Sequence, residues 1–154
     1  MEQKFTLKKL TVETLGVSCQ YEIQTTKDDG AIETAIYQKK DSRIPHNGLR
    51  FWFETALAQT IAKIFHYDEP GFALNQIVPT TIKFSGKGEN IGISISGHFI
   101  FGLLQIQFKT AKIKYLAGDN EICARLTGIV SDIEKEIQKY LFEGATENVE
   151  IFGE

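Results

Sequence analysis

Apolar and polar residues alternate along the first part of the chain, from Phe5 to Tyr37. A period of two is typical of strands that bury one face against a core. The alternation slips by one residue at Lys8-Lys9, which predicts a β-bulge in the first strand. Asp29-Gly30 fits a tight turn, because glycine accepts the positive φ that such turns need. These features predict a three-stranded antiparallel meander.

A second block of alternating residues lies between residues 77 and 109, with a turn predicted at Gly86-Lys87-Gly88. Clean alternation of this kind is typical of an antiparallel sheet with one buried and one solvated face. We predict three further strands here. The face of the first that is predicted to be buried comprises Val78, Thr80, Ile82 and Phe84.

Each block is followed by a stretch in which apolar residues recur every three or four positions, as on one side of a helix. The first predicted helix starts near Asn47, its apolar stripe runs to Ile64, and the Asp68-Glu69-Pro70-Gly71 run ends it. The second is capped by Asp119 or Asn120 and ends at Gly144, since these residue types favour helix termini.

The predicted fold is therefore α+β, with two antiparallel meander blocks in the order βββα-βββα and both helices packed on one side of the sheet. We predict one domain over residues 1–144 and a polar tail over residues 145–154. An exposed sheet edge has to be covered, and self-association is one way, so a homo-oligomer is expected.

Composition agrees with a globular domain, since 42% of the 154 residues are hydrophobic and 24% are charged. Cys19 and Cys123 lie far apart in the sequence, and we expect both to be reduced thiols. The N-terminus lacks an apolar signal core, and no apolar run is long enough to cross a bilayer. A cytoplasmic protein without membrane contact is the expectation.

Charge is unevenly distributed along a chain whose net charge is −3. Residues 77–118 carry five basic groups and one acid, whereas residues 119–154 carry three basic groups and nine acids. The two segments either form two separate binding surfaces or neutralise each other's charge, within the fold or across an oligomer. Neutralisation is the more ordinary interpretation.

No residue pattern predicts catalysis. The Gly86-Lys87-Gly88 turn joins two strands, whereas a phosphate-binding loop leads into a helix. His46, His66 and His98 each stand alone, without the spacing of a metal site. The serines lack the sequence context of an activated nucleophile. We predict no enzymatic activity, no cofactor and no metal.

Basic residues near the end of the second block are the strongest candidates for binding, because cations contact phosphates and an aromatic ring can stack on an unpaired base. An ordinary solvated face is the competing interpretation. The predicted nucleic-acid site comprises Lys109, Lys112, Lys114, Tyr115, Lys83 and Lys87.

Three segments resemble a family of small, largely uncharacterised bacteriophage and prophage accessory proteins. They are residues 46–64, the IVxxxIxFSGKGENIGISISG segment at 77–97 and the EIQKYLFEG segment at 136–144. The resemblance spans about residues 43–144. Such proteins are often associated with DNA metabolism, which implies a role with single-stranded DNA. No functional residue carries over, because the shared motifs are structural.

The first hypothesis is thus a non-enzymatic phage-type protein that binds nucleic acid, preferably single-stranded DNA. The alternative is a phage protein that sequesters a signalling nucleotide or inhibits a host defence protein, with the acidic last helix as the contact for a basic partner. A structural virion component is a third possibility. The predicted contact residues of the alternative are Asp132, Glu134, Glu136 and Glu143.

Overall fold

The computed structural model describes residues 2–13, 16–41, 49, 51–66, 76–116, 118 and 120–143. Six strands and two helical regions follow one another in the predicted order. The strands are β1 (Glu2–Glu13), β2 (Gly16–Thr26), β3 (Ile32–Asp41), β4 (Ile77–Ser85), β5 (Gly92–Phe101) and β6 (Leu104–Lys109). The first helical region begins with a π-helical turn (Trp52–Leu57) and continues as α1 (Ala58–Ile64); α2 spans Glu121–Glu143, and a short 3₁₀ turn spans Gly88–Asn90.

All six strands form one antiparallel sheet in the order β3-β2-β1-β4-β5-β6. The α+β class is confirmed. The finer layout of two meander blocks is wrong, because β1 pairs with β4 through Leu10 and Ile82 and joins both meanders into a single sheet. Leu10 and Ile82 are both fully buried, so the seam between the meanders is part of the core.

Two β-bulges determine which side chains of β1 and β4 point toward the core. The register of β1 shifts between Leu7 and Lys9, as the slip of phase predicts. A second shift, between Pro79 and Thr81 of β4, has no counterpart in the sequence analysis. Because a bulge reverses the direction of every side chain beyond it, Val78 does not share a face with Ile82 as predicted.

The core lies between the helices and one face of the sheet, which we call the covered face. Residues paired across neighbouring strands point to the same side, and the register links the buried side chains of five strands. These side chains are Leu7, Leu10, Val17, Cys19, Tyr21, Ile82, Phe84, Ile93, Ile95, Phe99 and Phe108. Phe65, which follows α1, packs its ring on Phe99, and Phe142 of α2 packs on Phe5.

The helices form where the apolar stripes predict them. In α2 the stripe is buried at Leu126, Ile133 and Ile137, and the Asn120 side chain caps the first turn by accepting a hydrogen bond from the Cys123 amide at 2.9 Å. The predicted first-helix start at Asn47, the end of the second helix at Gly144 and the tail 145–154 lie outside the described residues. In the described part of the chain, no helix is long and apolar enough to cross a membrane.

Candidate nucleic-acid interface

The face of the sheet opposite the helices carries polar side chains in two adjacent rows, and we call this the open face. The hydroxyl row crosses all six strands and consists of Lys40, Ser18, Thr11, Thr81, Ser96 and Lys109, each paired with the next. The lysine row lies two residues further along each strand. It consists of Gln38, Gln20, Lys9, Lys83 and Ser94. None of the eleven residues is buried.

Four lysines and no carboxylate stand in these two rows. Lys40 and Lys109 lie at the two ends of the hydroxyl row, on the edge strands, about 24 Å apart at the usual spacing between strands. Lys9 and Lys83 face each other across the central β1–β4 pair. All four side chains are exposed, and none makes an ion pair with another residue that the structure describes. The rows are therefore a patch of positive charge on a protein of negative net charge.

The pairing of Lys9 with Lys83 is unfavourable in the free protein. Directly opposed side chains have Cβ atoms about 4.5–5.5 Å apart, and like charges at that distance repel each other. No acidic side chain in either row compensates this repulsion. A bound anion such as a phosphate would relieve it, so the geometry favours a polyanionic ligand at the centre of the face.

Hydroxyl groups surround the central lysines and are already ordered. The Thr11 and Thr81 hydroxyls are 3.0 Å apart and hydrogen bonded to each other, and the Thr80 hydroxyl donates to the Ser96 carbonyl at 3.4 Å. Thr110 fixes the end of β6 because its amide donates to the Ile95 carbonyl and its hydroxyl accepts from the Ile95 amide. That double contact positions Lys109 at its end of the hydroxyl row.

Shallow depressions coincide with these rows. One of about 130 Å³ lies among Lys9, Thr11, Ser18 and the Gln20 and Gln38 side chains. Another, of about 410 Å³, is lined by Ser96, His98, Gln107 and Lys109 near the β6 edge. Both are open. The smaller is mostly polar, which suits an extended polar ligand, whereas Phe108 also lines the larger one, whose surface is about half apolar.

A third depression, of about 350 Å³, lies at the end of the sheet where the β4–β5 turn meets β1 and β2. Lys4, Lys8 and Lys87 line it, with Glu22 as its acidic residue. The basic character of the open face thus continues beyond the two rows.

Lys112 reaches the same end of the face by packing over glycine. A Cβ built on Gly92 would lie 2.7 Å from the Cγ and Cε atoms of Lys112, and one built on Gly86 would lie 2.8 Å from its Nζ. Gly92 pairs with Ser85 on the open face, so the Lys112 stem lies across that face. The strand glycine leaves the space that this side chain occupies.

The predicted nucleic-acid lysines therefore lie in three places. Lys83 and Lys109 lie in the rows, Lys112 and Lys87 lie at the turn end of the open face, and Lys114 is exposed beyond the Ile93–Ile113 bridge.

Tyr115 does not belong with them, because only 6% of it is exposed and its ring packs against Phe84 in the core. Burial, and to a smaller extent the nearby Glu134, raises the pKa of Tyr115 to about 12. The stacking role predicted for Tyr115 is incompatible with this position, since its ring faces are occupied by the protein.

Sequence reasoning missed Lys9 and Lys40 as members of the same site. They come from β1 and β3, at positions distant from the predicted lysines, and only the register across β1–β4 aligns them with Lys83 and Lys109. One signal was present: the bulge at Lys8-Lys9 puts Lys9 on the face opposite Leu10.

The acidic residues of α2 do not form one surface. Successive residues of a helix are about 100° apart, so Asp132 and Glu134 point about 160° away from each other. Both are partly buried, as is Glu136, which pairs with Lys139 at 3.5 Å. Burial raises the pKa of Glu134 above its usual value. The Glu143 side chain lies outside the described part of the structure. Asp132 and Glu136 are one turn apart and share one side of the helix, whereas Glu134 lies on the other side, so the four predicted acids do not form a single contact surface.

No group of three His, Cys, Asp or Glu side chains within the described ranges is placed to hold a metal ion. Cys19 and Cys123 are free and buried. Compared with protein-family models, curated proteins and solved structures, the chain matches none. The resemblance to phage proteins and the absence of catalysis therefore stay predictions.

Proposed function

We propose that this protein binds single-stranded nucleic acid, with DNA as the preferred form, on the open face of its sheet and without catalysing a reaction. The observation that carries the proposal is the alignment of Lys9, Lys83, Lys40 and Lys109 in two rows free of carboxylates. Lysines neutralise phosphates and release their counterions, which is the main source of sequence-independent affinity.

The surrounding side chains define the mode of binding. Hydroxyl and amide groups in the rows donate and accept hydrogen bonds, so they contact phosphate, sugar or unpaired base edges. No aromatic residue stands in either row. Base stacking therefore contributes little, and we expect weak sequence preference together with strong salt dependence.

The preference for DNA rests on the resemblance of residues 43–144 to bacteriophage and prophage proteins associated with DNA metabolism. On that basis we place the activity in the cytoplasm of an infected host cell. The acidic-helix alternative has weaker support, because Glu134 lies across α2 from Asp132 and Glu136, and Glu136 is paired with Lys139.

The test is a fluorescence anisotropy titration of a labelled oligothymidine of about twenty nucleotides over a salt series. The variant replaces Lys9, Lys40, Lys83 and Lys109 with glutamine. We expect an affinity loss of at least about tenfold at low salt. Each lost lysine–phosphate contact should reduce the slope of log K against log[salt] by about 0.7.

A matched control replaces Lys63, Arg125, Lys135 and Lys139 with glutamine. These groups lie on the helices, and their removal changes the net charge by the same amount. The control should retain both affinity and salt slope. If the open-face variant binds with an unchanged slope, or if both variants weaken equally, the assignment of the site to the open face is wrong.

A further inference from the structure

Strand β3 forms one edge of the sheet and is exposed along almost its entire length. It pairs with β2 over ten residues, and no described residue pairs with its outer edge. Every residue from Ile32 to Lys40 is exposed, including Ile32 at 65% and Ile36 at 68%. A long sheet edge with apolar side chains is a template for another strand unless it is protected.

The backbone groups available on this edge follow from the hairpin. The Lys27 amide donates to the Ala31 carbonyl, and the β2–β3 register continues without a shift. In an antiparallel pair, every second residue of a strand exchanges backbone hydrogen bonds with the neighbouring strand, and the residues between them direct their N–H and C=O groups to the other side. Residues 33, 35, 37 and 39 therefore bond to β2, whereas the N–H and C=O groups of the even-numbered residues 32–40 point away from the sheet.

We propose that the outer edge of β3 pairs with β3 of a second copy of this chain, antiparallel and about a two-fold axis through Ile36. A two-fold axis perpendicular to the sheet keeps both covered faces on one side. It aligns Ile36 with the partner's Ile36, and Glu33 with the partner's Lys39. The even-numbered residues meet each other, so five donors and five acceptors from each chain are satisfied.

Charge selects this register over its neighbours. Centred on Ile36, the pairing forms two symmetric Glu33–Lys39 contacts on the covered side and joins the two exposed isoleucines on the open side. Centred on Tyr37, it would set Glu33 against the partner's Asp41. Centred on Ala35, it would leave Lys39 without an opposing residue in the strand. Opposite charges in direct cross-strand pairs stabilise a sheet, and like charges destabilise it.

Glu33 can take part although it already has a cation nearby. Its carboxylate lies 2.6 Å from the Lys27 ammonium, yet the Glu33 side chain is 66% exposed. A carboxylate has four lone-pair sites and accepts several donors. Lys39 makes no ion pair with another described residue, so its charge is available to a second chain.

The other edge offers a weaker alternative. Strand β6 has six residues, and the exposed side chains Leu104 and Ile106 lie on it. Its sequence Leu104–Lys109 contains one charged residue and no acid, so self-pairing there has no complementary ion pairs to fix a register. This edge supplies the control for the experiment.

The experiment measures mass in solution by sedimentation velocity, without nucleic acid, so that its outcome is independent of the proposed binding activity. The wild-type chain is expected to be a dimer. Glu33→Lys and Lys39→Glu each turn both symmetric pairs into like-charge pairs, so each variant alone should dissociate with a dissociation constant raised about tenfold or more.

An equimolar mixture of the two variants provides the register-specific result. In a mixed dimer the lysine introduced at position 33 of one chain meets the glutamate introduced at position 39 of the other. The second pair joins the unchanged Lys39 of the first chain to the unchanged Glu33 of the second, so both pairs become attractive again. Dimers should therefore form in the mixture and not in either component. Ile36→Lys, which places two like charges on the axis, should be monomeric, whereas Ile106→Lys on β6 should remain dimeric.

Each alternative outcome contradicts the proposal. A wild-type chain that is monomeric at about 100 µM, an Ile36→Lys variant that stays dimeric, or a mixture that fails to associate would each overturn it. Loss of the dimer in Ile106→Lys alone would assign self-association to β6. Circular dichroism of every variant separates dissociation from unfolding.

Discussion

The two faces of the sheet are built from neighbouring residues but differ in burial and charge. Ile82 is fully buried on the covered face, and Lys83, the next residue of β4, is exposed on the open face. The same contrast holds for Leu10 and Lys9 of β1. The covered face contributes apolar burial and hence stability, whereas the open face has opposed lysines that contribute nothing to folding. An opposed pair of lysines that does not stabilise the fold agrees with the anion binding proposed for the open face.

The sharpest test of this contrast compares adjacent substitutions in β4. Ile82→Ala leaves a cavity at the seam between the meanders and should reduce the free energy of unfolding by about 2–5 kcal/mol. Lys83→Gln should change it by less than about 0.5 kcal/mol while weakening binding to oligothymidine. Urea denaturation and anisotropy measure the two quantities separately. Comparable stability losses in both variants would contradict the division of roles.

The bulge in β4 predicts the next largest effect. A Cβ on Gly97 would lie 2.1 Å from the Val78 carbonyl oxygen and 2.8 Å from the Pro79 Cα, which are backbone atoms of the neighbouring strand. Gly97→Ala should therefore force the β4–β5 pair apart at a cost of about 1–3 kcal/mol. Gly128→Ala is the control and should be neutral or stabilising, because no atom beyond its own helical turn lies within 4 Å of the added Cβ. Thermal unfolding of both variants distinguishes a local clash from a general intolerance of substitution.

The covered face also predicts a dependence of stability on pH. Burial raises the pKa of the Cys19 thiol from 9.0 to about 11, with Lys39 opposing and Asp41 adding to the shift. A raised pKa in the folded state stabilises the fold below pH 9, and this contribution is lost as the pH rises to 11.

We expect Cys19 to account for a fall in the free energy of unfolding on the order of 1 kcal/mol across that interval. The Cys19→Ala variant should show a correspondingly flatter profile in urea denaturation at pH 8, 9, 10 and 11. Parallel profiles for the two proteins would show that Cys19 ionises equally well in the folded chain.

The smallest effect is expected on the open face itself. Thr11→Val removes the hydroxyl that lies 3.0 Å from the Thr81 hydroxyl while it retains the β-branched shape. Because solvent can hydrogen bond to Thr81 instead, the free energy of unfolding should fall by less than about 1 kcal/mol. A larger loss, measured by the same denaturation, would mean that the hydroxyl row is part of the structural core.

Much of the fold could be predicted, because periodicity reports directly on which side of an element is buried. The alternation in β1 and the bulge at Lys8-Lys9 are both present in the structure. The stripe and the Asn120 cap of α2 are likewise confirmed. These features depend on contacts within a few residues, for which the local sequence is sufficient.

The candidate site was predicted only in part. Lys83 and Lys109 were identified from a local excess of basic residues, and both lie on the open face. The same reasoning includes Tyr115, because Tyr115 directly follows Lys114 in the sequence. The chain turns after the Ile93–Ile113 bridge and buries Tyr115 against Phe84. The direction in which a side chain points after such a turn depends on which strand the segment pairs with.

By itself the sequence determined where strands and helices form and which side of each is apolar, since backbone geometry translates spacing along the chain into direction. It could not determine that β1 and β4 are neighbours, because pairing of distant strands depends on the combined burial of residues such as Leu10 and Ile82. That single pairing joins the meanders into one sheet and aligns Lys9 with Lys83. The hydroxyl row and the lysine row therefore depend on the tertiary structure, because their lysines are distant from one another in the sequence.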